Sequence, residues 1–249
     1  MKQITMPEAQ GKDGSPPIYR GGPIYRGRLT TRKSAFTGDT TGYNTEHRSS
    51  MLYYVSKRMM DIVLAAAGMV VLLPVFLVIA MCITLDDRGP ILHFRELVGL
   101  RERRFFALKF RTMIPDADAY LEKHPGLMRE YQKSMKLKDD PRVTRVGKFL
   151  RKTSLDELPQ LFNVLTGEMS LVGPRGIHAS ELVRYGKYAQ KRLAVKPGIT
   201  GLWQVSNRQH NSYEERIPYD IAYIDNRSFL LDLLILVKTL KVFIVPTGI

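Results

Sequence analysis

The most apolar stretch of the chain runs from Ile62 to Leu85 and contains 24 residues without a charged side chain. As a helix, a stretch of this length could cross the hydrocarbon core of a bilayer. Its position far from the N-terminus does not fit a signal peptide. Pro74 lies near its middle, where proline removes a backbone hydrogen bond and clashes with the preceding turn. The pattern therefore predicts an apolar helix with a kink or break near Pro74.

The charges on both sides of this stretch bear on its topology. Residues 1–58 contain 10 Lys and Arg against 4 acidic residues, and residues 86–111 contain 7 against 4. Basic flanks stay on the cytoplasmic side of a membrane, so a basic excess at both ends conflicts with a simple crossing. A re-entrant helix hairpin over residues 51–87, which enters and leaves on one face, resolves the conflict. A kinked helix that crosses completely stays open as the alternative.

The remaining patterns are shorter. Residues 91–113 alternate short apolar runs with Arg, which predicts two short strands or a strand and a turn. Residues 116–138 predict a polar helix interrupted at Pro125, and residues 180–193 a basic amphipathic helix. Residues 229–245 are apolar but carry three charges, which favours an interfacial or core-docked helix over a second crossing. The predicted fold is mainly α with a few short strands.

Residues 1–50 lack apolar periodicity and are rich in Gly, Pro, Ser, Thr and Arg. They are predicted to form a disordered basic tail, because they cannot bury enough apolar surface to offset the entropy of ordering. Within them Pro17–Gly21 recurs as Pro23–Gly27, either as a short binding motif or as a duplication in an unconstrained tail. Residues 88–249 are long enough to form one compact domain with its own core.

The composition adds a charge and a redox constraint. The formal net charge of +14 implies a polyanionic partner, which could be a nucleic acid, an anionic membrane face or a phosphorylated substrate. Cys82 is the only cysteine, so an intramolecular disulfide and a multi-cysteine zinc site are excluded. A reducing, cytosolic side is compatible with this.

The candidate chemistry lies between Asp139 and Arg175, where a dense cationic run leads into the adjacent acids Asp156 and Glu157. Ser154-x-x-Glu157 has the form of a capping box at the start of a helix, and the positive end of that helix would favour ionised carboxylates. An ionised Asp can attack phosphorus or hold a metal. The alternative is that these acids only cap the helix, but so many cations nearby point to an anionic partner.

The segment Lys196–Gln204 is a Gly/Pro loop that ends beside the only tryptophan, Trp203. Three interpretations stay open for it: a mobile lid, a membrane-interface anchor and a plain structural turn.

Several motifs, in one order along the chain, resemble the bacterial sugar transferases, which are monotopic polyprenyl-phosphate hexose-1-phosphate (phosphoglycosyl) transferases. The resemblance covers about Tyr53 to Leu240. It is carried by Lys57-Arg58 with Asp61, Lys109–Met113, Asp140–Arg142, Leu155–Gln160, Gly173–Arg175 and Lys196–Gln204.

This resemblance implies transfer of sugar 1-phosphate from a UDP-sugar to undecaprenyl phosphate, with release of UMP and with Mg²⁺ as cofactor. It implies Asp156 as nucleophile and Glu157 as its metal- or proton-handling neighbour, so both acids are candidate metal ligands. It also implies a cytoplasmic catalytic domain over residues 88–249, with amphipathic helices on the cytoplasmic leaflet of the bacterial inner membrane and a hairpin broken at Pro74.

Further site residues follow from the same resemblance. The expected phosphate ligands are Arg175, Lys109, Arg111 and Arg145. The expected nucleotide-sugar loop contains Lys196, Gly198, Trp203, Gln204 and Arg208. Three positions depart from the family pattern and leave sugar preference and membrane seating open: Asn207, Gly176 and Arg227.

Two other functions are compatible with parts of the sequence. A membrane-tethered nucleic-acid-binding protein would explain the charge, but it needs aromatic side chains among the cations, and residues 142–152 contain only Phe149. No nucleic-acid partner is therefore expected. A catalytically silent scaffold of polysaccharide assembly stays open, as does assembly into a homo-oligomer. The sequence does not indicate which sugar is transferred.

Overall fold

A computed structural model describes residues 51–134, 137, 139–206 and 213–244 of the chain. The predicted tail over residues 1–50 lies outside the described residues. The chain divides into two compact units: the described part of one is within Asp116–Lys138, and the other contains the remaining described residues. The structure is 64% helical with a few short strands, which confirms the mainly α prediction.

The apolar stretch forms two helices, α1 (Met51–Val71) and α2 (Leu73–Asp86), which meet at a 59° bend. Pro74 lies in the first turn of α2, where its missing N–H leaves no helical bond unmade. The predicted break near Pro74 is confirmed. None of the described helices is by itself long and apolar enough to span a bilayer, whereas α1 and α2 together would be, by length and composition only. The re-entrant hairpin stays a prediction.

Two antiparallel strands follow, β1 (Leu92–Val98) and β2 (Arg104–Phe110), as predicted. Their register pairs His93 with Lys109 and Leu97 with Phe105. The smaller compact unit then contains α3 (Ala117–Glu122) and α4 (Pro125–Ser134). The predicted interruption at Pro125 is confirmed, since this proline begins α4.

The second half of the larger unit contains helices of different lengths and two parallel strands. Its elements are α5 (Arg145–Thr153), α6 (Gln160–Thr166), β3 (Ser170–Val172), α7 (Ala189–Arg192), β4 (Gly198–Thr200), α8 (Leu202–Ser206), α9 (Tyr213–Asn226) and α10 (Phe229–Ile244).

One predicted helix is wrong. Residues 180–193 do not form a continuous amphipathic helix but a run of 3₁₀ turns over Ala179–Tyr188, followed by α7. Gly186 interrupts the run with a φ of 50°, a left-handed conformation that glycine adopts without steric cost. The helix predicted over 229–245 is confirmed as α10 up to Ile244, and Val245 lies outside the described residues.

The main core of the larger unit joins elements from both halves of its sequence. Ala65 of α1, Ala107 of β2, Val164 of α6, Val172 of β3 and Ile235 of α10 belong to one buried cluster. The predicted boundary between residues 87 and 88 stays a prediction, although α1 shares this core with the elements that follow.

Polar contacts also fix α1 to β3. Lys57 donates to the carbonyl of Val172 at 3.0 Å and pairs with the fully buried Asp232 of α10 at 2.8 Å. Asp61 accepts hydrogen bonds from the hydroxyl of Ser170 and the backbone N–H of Leu171. These contacts with α1 fix β3, the strand that leads into the next turn.

The opposite faces of α1, α2 and α10 are apolar and exposed. Met51, Val70 and Leu85 have 82, 75 and 78% of their surface exposed, and Leu230 of α10 has 66%. Soluble monomers rarely expose apolar patches larger than a few hundred Å². These faces are therefore expected to contact an apolar partner.

Candidate active site

The two adjacent acids lie on a tight 3₁₀ turn, Leu155–Glu157, between α5 and α6. Ser154 ends α5 in a left-handed conformation with a φ of 57°, and its N–H bonds back to the carbonyls of Leu150 and Arg151. The predicted capping box is wrong, because the Ser154 side chain makes no cap hydrogen bond and α6 begins only at Gln160. Proline needs no backbone donor, so Pro159 suits the start of a helix.

Cations from two distant segments hold the acids. Lys109 of β2 places its Nζ 2.6 Å from Glu157 Oε1 and 3.6 Å from Asp156 Oδ2. Arg175, in the turn after β3, places Nη2 2.7 Å from Glu157 Oε1 and Nη1 3.3 Å from Oε2. The predicted cations Lys109 and Arg175 are thus brought together at the predicted acids.

Glu157 is held as an anion. Burial alone would raise the pKa of its carboxyl, but the positive charges of Arg175 and Lys109 outweigh burial and lower the pKa to about 2. Glu157 consequently acts as a fixed negative charge that binds two cations.

Asp156 differs from its neighbour. Burial and the negative charge of Glu157 raise the pKa of the Asp156 carboxyl, against the opposing effects of Lys109, Arg175 and Arg151. Within the described part of the chain Asp156 accepts no hydrogen bond, and its nearest ion-pair partner is Lys109. A carboxylate with so few partners and a raised pKa is more basic than an ordinary Asp and is free to react.

Arg151 is a further cation near the dyad that was not singled out from the sequence, although it belongs to the basic run before the acids. Its Nε donates to the Thr112 hydroxyl at 2.9 Å, and its charge lowers the pKa of Asp156. The sequence indicated this residue only by its position: Arg151 precedes Asp156 by five residues and lies before the end of α5.

Among the described residues, the other two predicted phosphate ligands form no ion pair with either acid. Arg111 is buried and donates to the carboxylate and the carbonyl of Asp87, at 2.9 and 2.8 Å. Arg145 is exposed at the first residue of α5, and among the described residues it forms no ion pair with either acid. Their roles in phosphate binding stay predictions.

The loop Lys196–Gln204 packs against the turn that carries Arg175. Gly198 donates its N–H to the carbonyl of Pro174 at 2.9 Å, and a Cβ there would lie 2.1 Å from the backbone nitrogen of Gly173. Only glycine fits this close approach. Trp203 is 8% exposed, which favours the structural interpretation of this segment over an interface anchor.

Other members of the predicted nucleotide-sugar loop lie around this packing. Gln204 donates to the carbonyl of Ile199 at 3.0 Å. Burial and the charge of Arg58 lower the pKa of Lys196, which lies on the α1 side of the loop. Arg208 and the neighbouring Asn207 lie outside the described residues. Of the other two departures, Gly176 packs against Leu97 and Arg227 donates to the Tyr54 hydroxyl.

The two acids offer a limited metal site. Over the described ranges no group of three or more His, Cys, Asp and Glu residues could hold a metal ion. Asp156 accepts no hydrogen bond there, and Glu157 Oε2 accepts only the long one from Arg175. Mg²⁺ is commonly bound by one or two carboxylates, with substrate phosphates and water completing its shell. The dyad fits such a partial site.

Comparison with known proteins identifies related chains. The model of the family described as bacterial sugar transferase matches residues 52–246. The exopolysaccharide production protein ExoY of Sinorhizobium fredii is 41% identical over 198 residues, which are 78% of this chain and 88% of the relative.

Two longer relatives carry names that state a reaction. The undecaprenyl-phosphate galactose phosphotransferase of Salmonella typhimurium is 40% identical over 240 residues, 93% of this chain. The UDP-glucose:undecaprenyl-phosphate glucose-1-phosphate transferase of Xanthomonas campestris is 38% identical over 195 residues, 75% of this chain. The chain spans 49 and 38% of the length of these two relatives.

Proposed function

The chain belongs to the bacterial sugar transferase family, and we propose that it transfers a sugar 1-phosphate from a UDP-sugar to undecaprenyl phosphate. This would be the initiating step of exopolysaccharide, capsule or O-antigen assembly. The observation that carries the proposal is the dyad itself: Glu157 is fixed as an anion by two cations, while Asp156 beside it accepts no hydrogen bond from the residues that the structure describes. The names of the relatives supply the donor and the acceptor.

The transfer consists of two displacements at one phosphorus atom. In the first, an Asp156 carboxylate oxygen bonds to the β-phosphorus, the bond to the bridging oxygen breaks, and UMP leaves with the electron pair. In the second, a phosphate oxygen of undecaprenyl phosphate attacks the same phosphorus, and the electron pair of the aspartyl bond returns to Asp156. Covalent catalysis divides one difficult transfer into two easier ones.

The surrounding cations stabilise the charge that moves in these steps. Lys109, Arg175 and Arg151 come from three separate elements and converge on the acids, so they can bind phosphate oxygens without a large rearrangement. Fixed positive charge in a partly buried site is worth more than in water, because it needs no reorganisation during the reaction. The raised pKa of Asp156 makes its ionised form a better nucleophile.

Mg²⁺ is part of the proposal. Asp156 and Glu157 would hold it together with the donor diphosphate, and when bound it would neutralise phosphate charge and assist the departure of UMP.

The exposed apolar faces support attachment to the cytoplasmic face of the bacterial inner membrane. If α1 and α2 incline equally to the membrane plane, each makes an angle of about half the 59° bend with it. The 14 residues of α2 are about 21 Å long and would descend about 10 Å, and the 21 residues of α1 are about 31 Å long and would descend about 15 Å, which is about half of a hydrocarbon core of about 30 Å. A re-entrant hairpin of this shape would stay in one leaflet and leave the dyad beside the surface where the lipid phosphate lies.

A donor screen tests the function. The full chain in undecaprenyl-phosphate vesicles is incubated with a panel of UDP-sugars and Mg²⁺, and UMP is measured. Asp156→Asn should abolish release because it removes the attacking charge and keeps the volume, whereas the exposed Asp139→Asn serves as the control. A phosphosugar adduct on the peptide containing Asp156 is expected. Normal UMP release by Asp156→Asn would refute the nucleophile, and no release from any donor would favour the scaffold.

A further inference from the structure

The backbone carbonyl of Arg175 accepts hydrogen bonds from two buried guanidinium groups. Nη2 of Arg192 lies 2.9 Å and Nη2 of Arg216 lies 2.7 Å from this oxygen. Arg192 has no exposed surface and Arg216 has 7%. The two cations come from different elements, α7 and α9, and meet on the residue whose own side chain binds Glu157.

Two buried guanidinium groups on one carbonyl cost more free energy than ordinary backbone pairing does. One neutral donor satisfies a carbonyl, whereas each buried guanidinium loses its hydration and repels its neighbours. Asp220 offsets part of this cost, since its Oδ2 accepts from Arg216 Nε at 3.2 Å and from the Tyr185 hydroxyl at 2.6 Å. The Arg216 guanidinium also lies over the Trp203 ring, 5.6 Å from its centroid.

These contacts restrict the backbone of Arg175. The turn is already fixed at Pro174, whose carbonyl accepts from Gly198, and the two guanidinium groups fix the next carbonyl. An arginine side chain has several rotatable bonds, and its ordering on a carboxylate costs entropy. A fixed backbone lowers that cost, because fewer side-chain conformations lead away from Glu157.

We propose that Arg192 and Arg216 form a clamp that positions Arg175 on Glu157. The clamp rests on the proposed function and extends it by adding two positioning residues to the dyad. Its effect is transmitted through Arg175, so loss of the clamp should resemble partial loss of the Arg175 side chain.

The ionisation of Glu157 reports on the clamp without any catalytic turnover. The charged groups around this carboxyl are Lys109 of β2, Arg175, Asp156 of its own turn and Arg151 of α5, and His93 is the cross-strand partner of Lys109. Of these, only Arg175 is held by the clamp. A displaced Arg175 neutralises Glu157 less well, so the pKa of Glu157 rises.

The first test is a carboxyl NMR titration of the full chain labelled with ¹³C-glutamate, with Glu157 assigned through Glu157→Gln. Above about pH 4, wild type should show no titration of Glu157, whereas Arg216→Met should show its onset. Arg227→Met, which removes a guanidinium bound to Ile224 and Tyr54, should leave the signal unchanged. An unchanged signal in Arg216→Met would overturn the clamp, whether or not the chain releases UMP.

The second test is a double-mutant cycle on the kcat/KM for UMP release. Arg216→Met should lower it at least about tenfold in wild type and at most about twofold in an Arg175→Ala background, because residues that act through one another are not additive. Arg216→Lys, which keeps the charge, should retain more activity than Arg216→Met. Equal losses in both backgrounds would show an independent structural role. If Arg216→Met does not fold, Arg192→Lys takes its place in the cycle.

Discussion

Removal of the Lys109 charge should move the acidic limb of the pH–rate profile to higher pH. Lys109 is the only residue that forms ion pairs with both acids within the described ranges, and its Nζ lies 3.6 Å from Asp156 Oδ2. As the proposed nucleophile, Asp156 would have to be ionised, so the lower limb of kcat/KM would follow the pKa of Asp156 in the free enzyme. Lys109→Met keeps the length of the side chain and removes its charge.

The size of the shift follows from the distance. Two unit charges 3.6 Å apart attract by about 4 to 5 kcal/mol at an effective dielectric constant of about 20, which corresponds to about three pKa units as an upper bound. The side chains of Lys109 and Asp156 retain 15 and 13% exposure, and water reduces the effect. The pKa of Glu157 also rises in this variant, and its protonation would remove part of its repulsion. We expect a shift of about one to two pH units.

The assay measures kcat/KM for UMP release between about pH 4 and pH 9, with Lys187→Met as the control. Lys187 lies over the Tyr188 ring and carries the same charge at a position outside the dyad. Glu157→Gln should shift the acidic limb in the opposite direction. Loss of a negative neighbour lowers the pKa of Asp156 and so moves the limb to lower pH. An unshifted limb in Lys109→Met, or shifts of the same sign in both variants, would contradict Asp156 as the titrating nucleophile.

Three further predictions concern the surrounding structure. Arg175→Ala should lower turnover far more than exposed Arg103→Ala; equal losses would indicate a diffuse cationic field. Glu157 should stabilise the fold above its unfolded pKa and lose this effect as pH falls towards about 2, so Glu157→Gln should lower Tm more at pH 7 than at pH 3. Pro74→Leu should favour full crossing of the membrane by the apolar stretch. A cysteine introduced by Ser34→Cys, in a chain whose native Cys82 has been replaced, should therefore react with an impermeant reagent in cells only when Pro74 is replaced as well.

Local signals in the sequence predicted the elements that local physics decides. Proline in the middle of a long apolar stretch disfavours one continuous helix, so Pro74 located the bend between α1 and α2. Alternating apolar positions located β1 and β2, and with them Lys109. The adjacent acids, and the arginine of the Gly-Pro-Arg turn, likewise stood out by composition.

The capping box was wrong, and contacts between distant segments had little or no local signal. Ser154 had the spacing of a capping residue, but its backbone is used to end α5 in a left-handed conformation. Arg111 follows β2 directly, yet its orientation is set by Asp87 at the end of α2. The clamp on Arg175 had only the i,i+4 spacing of Arg216 and Asp220 as a local signal, because Arg192 reaches it from another segment.

The left-handed residue before the dyad explains how two adjacent carboxylates acquire different properties. Ser154 ends α5, so the acids lie on a 3₁₀ turn, where successive side chains diverge by about 120°. Glu157 Oε1 then lies 2.6 Å from Lys109 Nζ and 2.7 Å from Arg175 Nη2, while Asp156 Oδ2 lies 3.6 Å from the same Lys109 Nζ. The cations lower the pKa of one acid, and the charge of that acid helps to raise the pKa of the other. The proposed nucleophile would need nearby cations without being bound tightly by them, and Glu157 would meet this need because it makes the closest contacts with those cations itself.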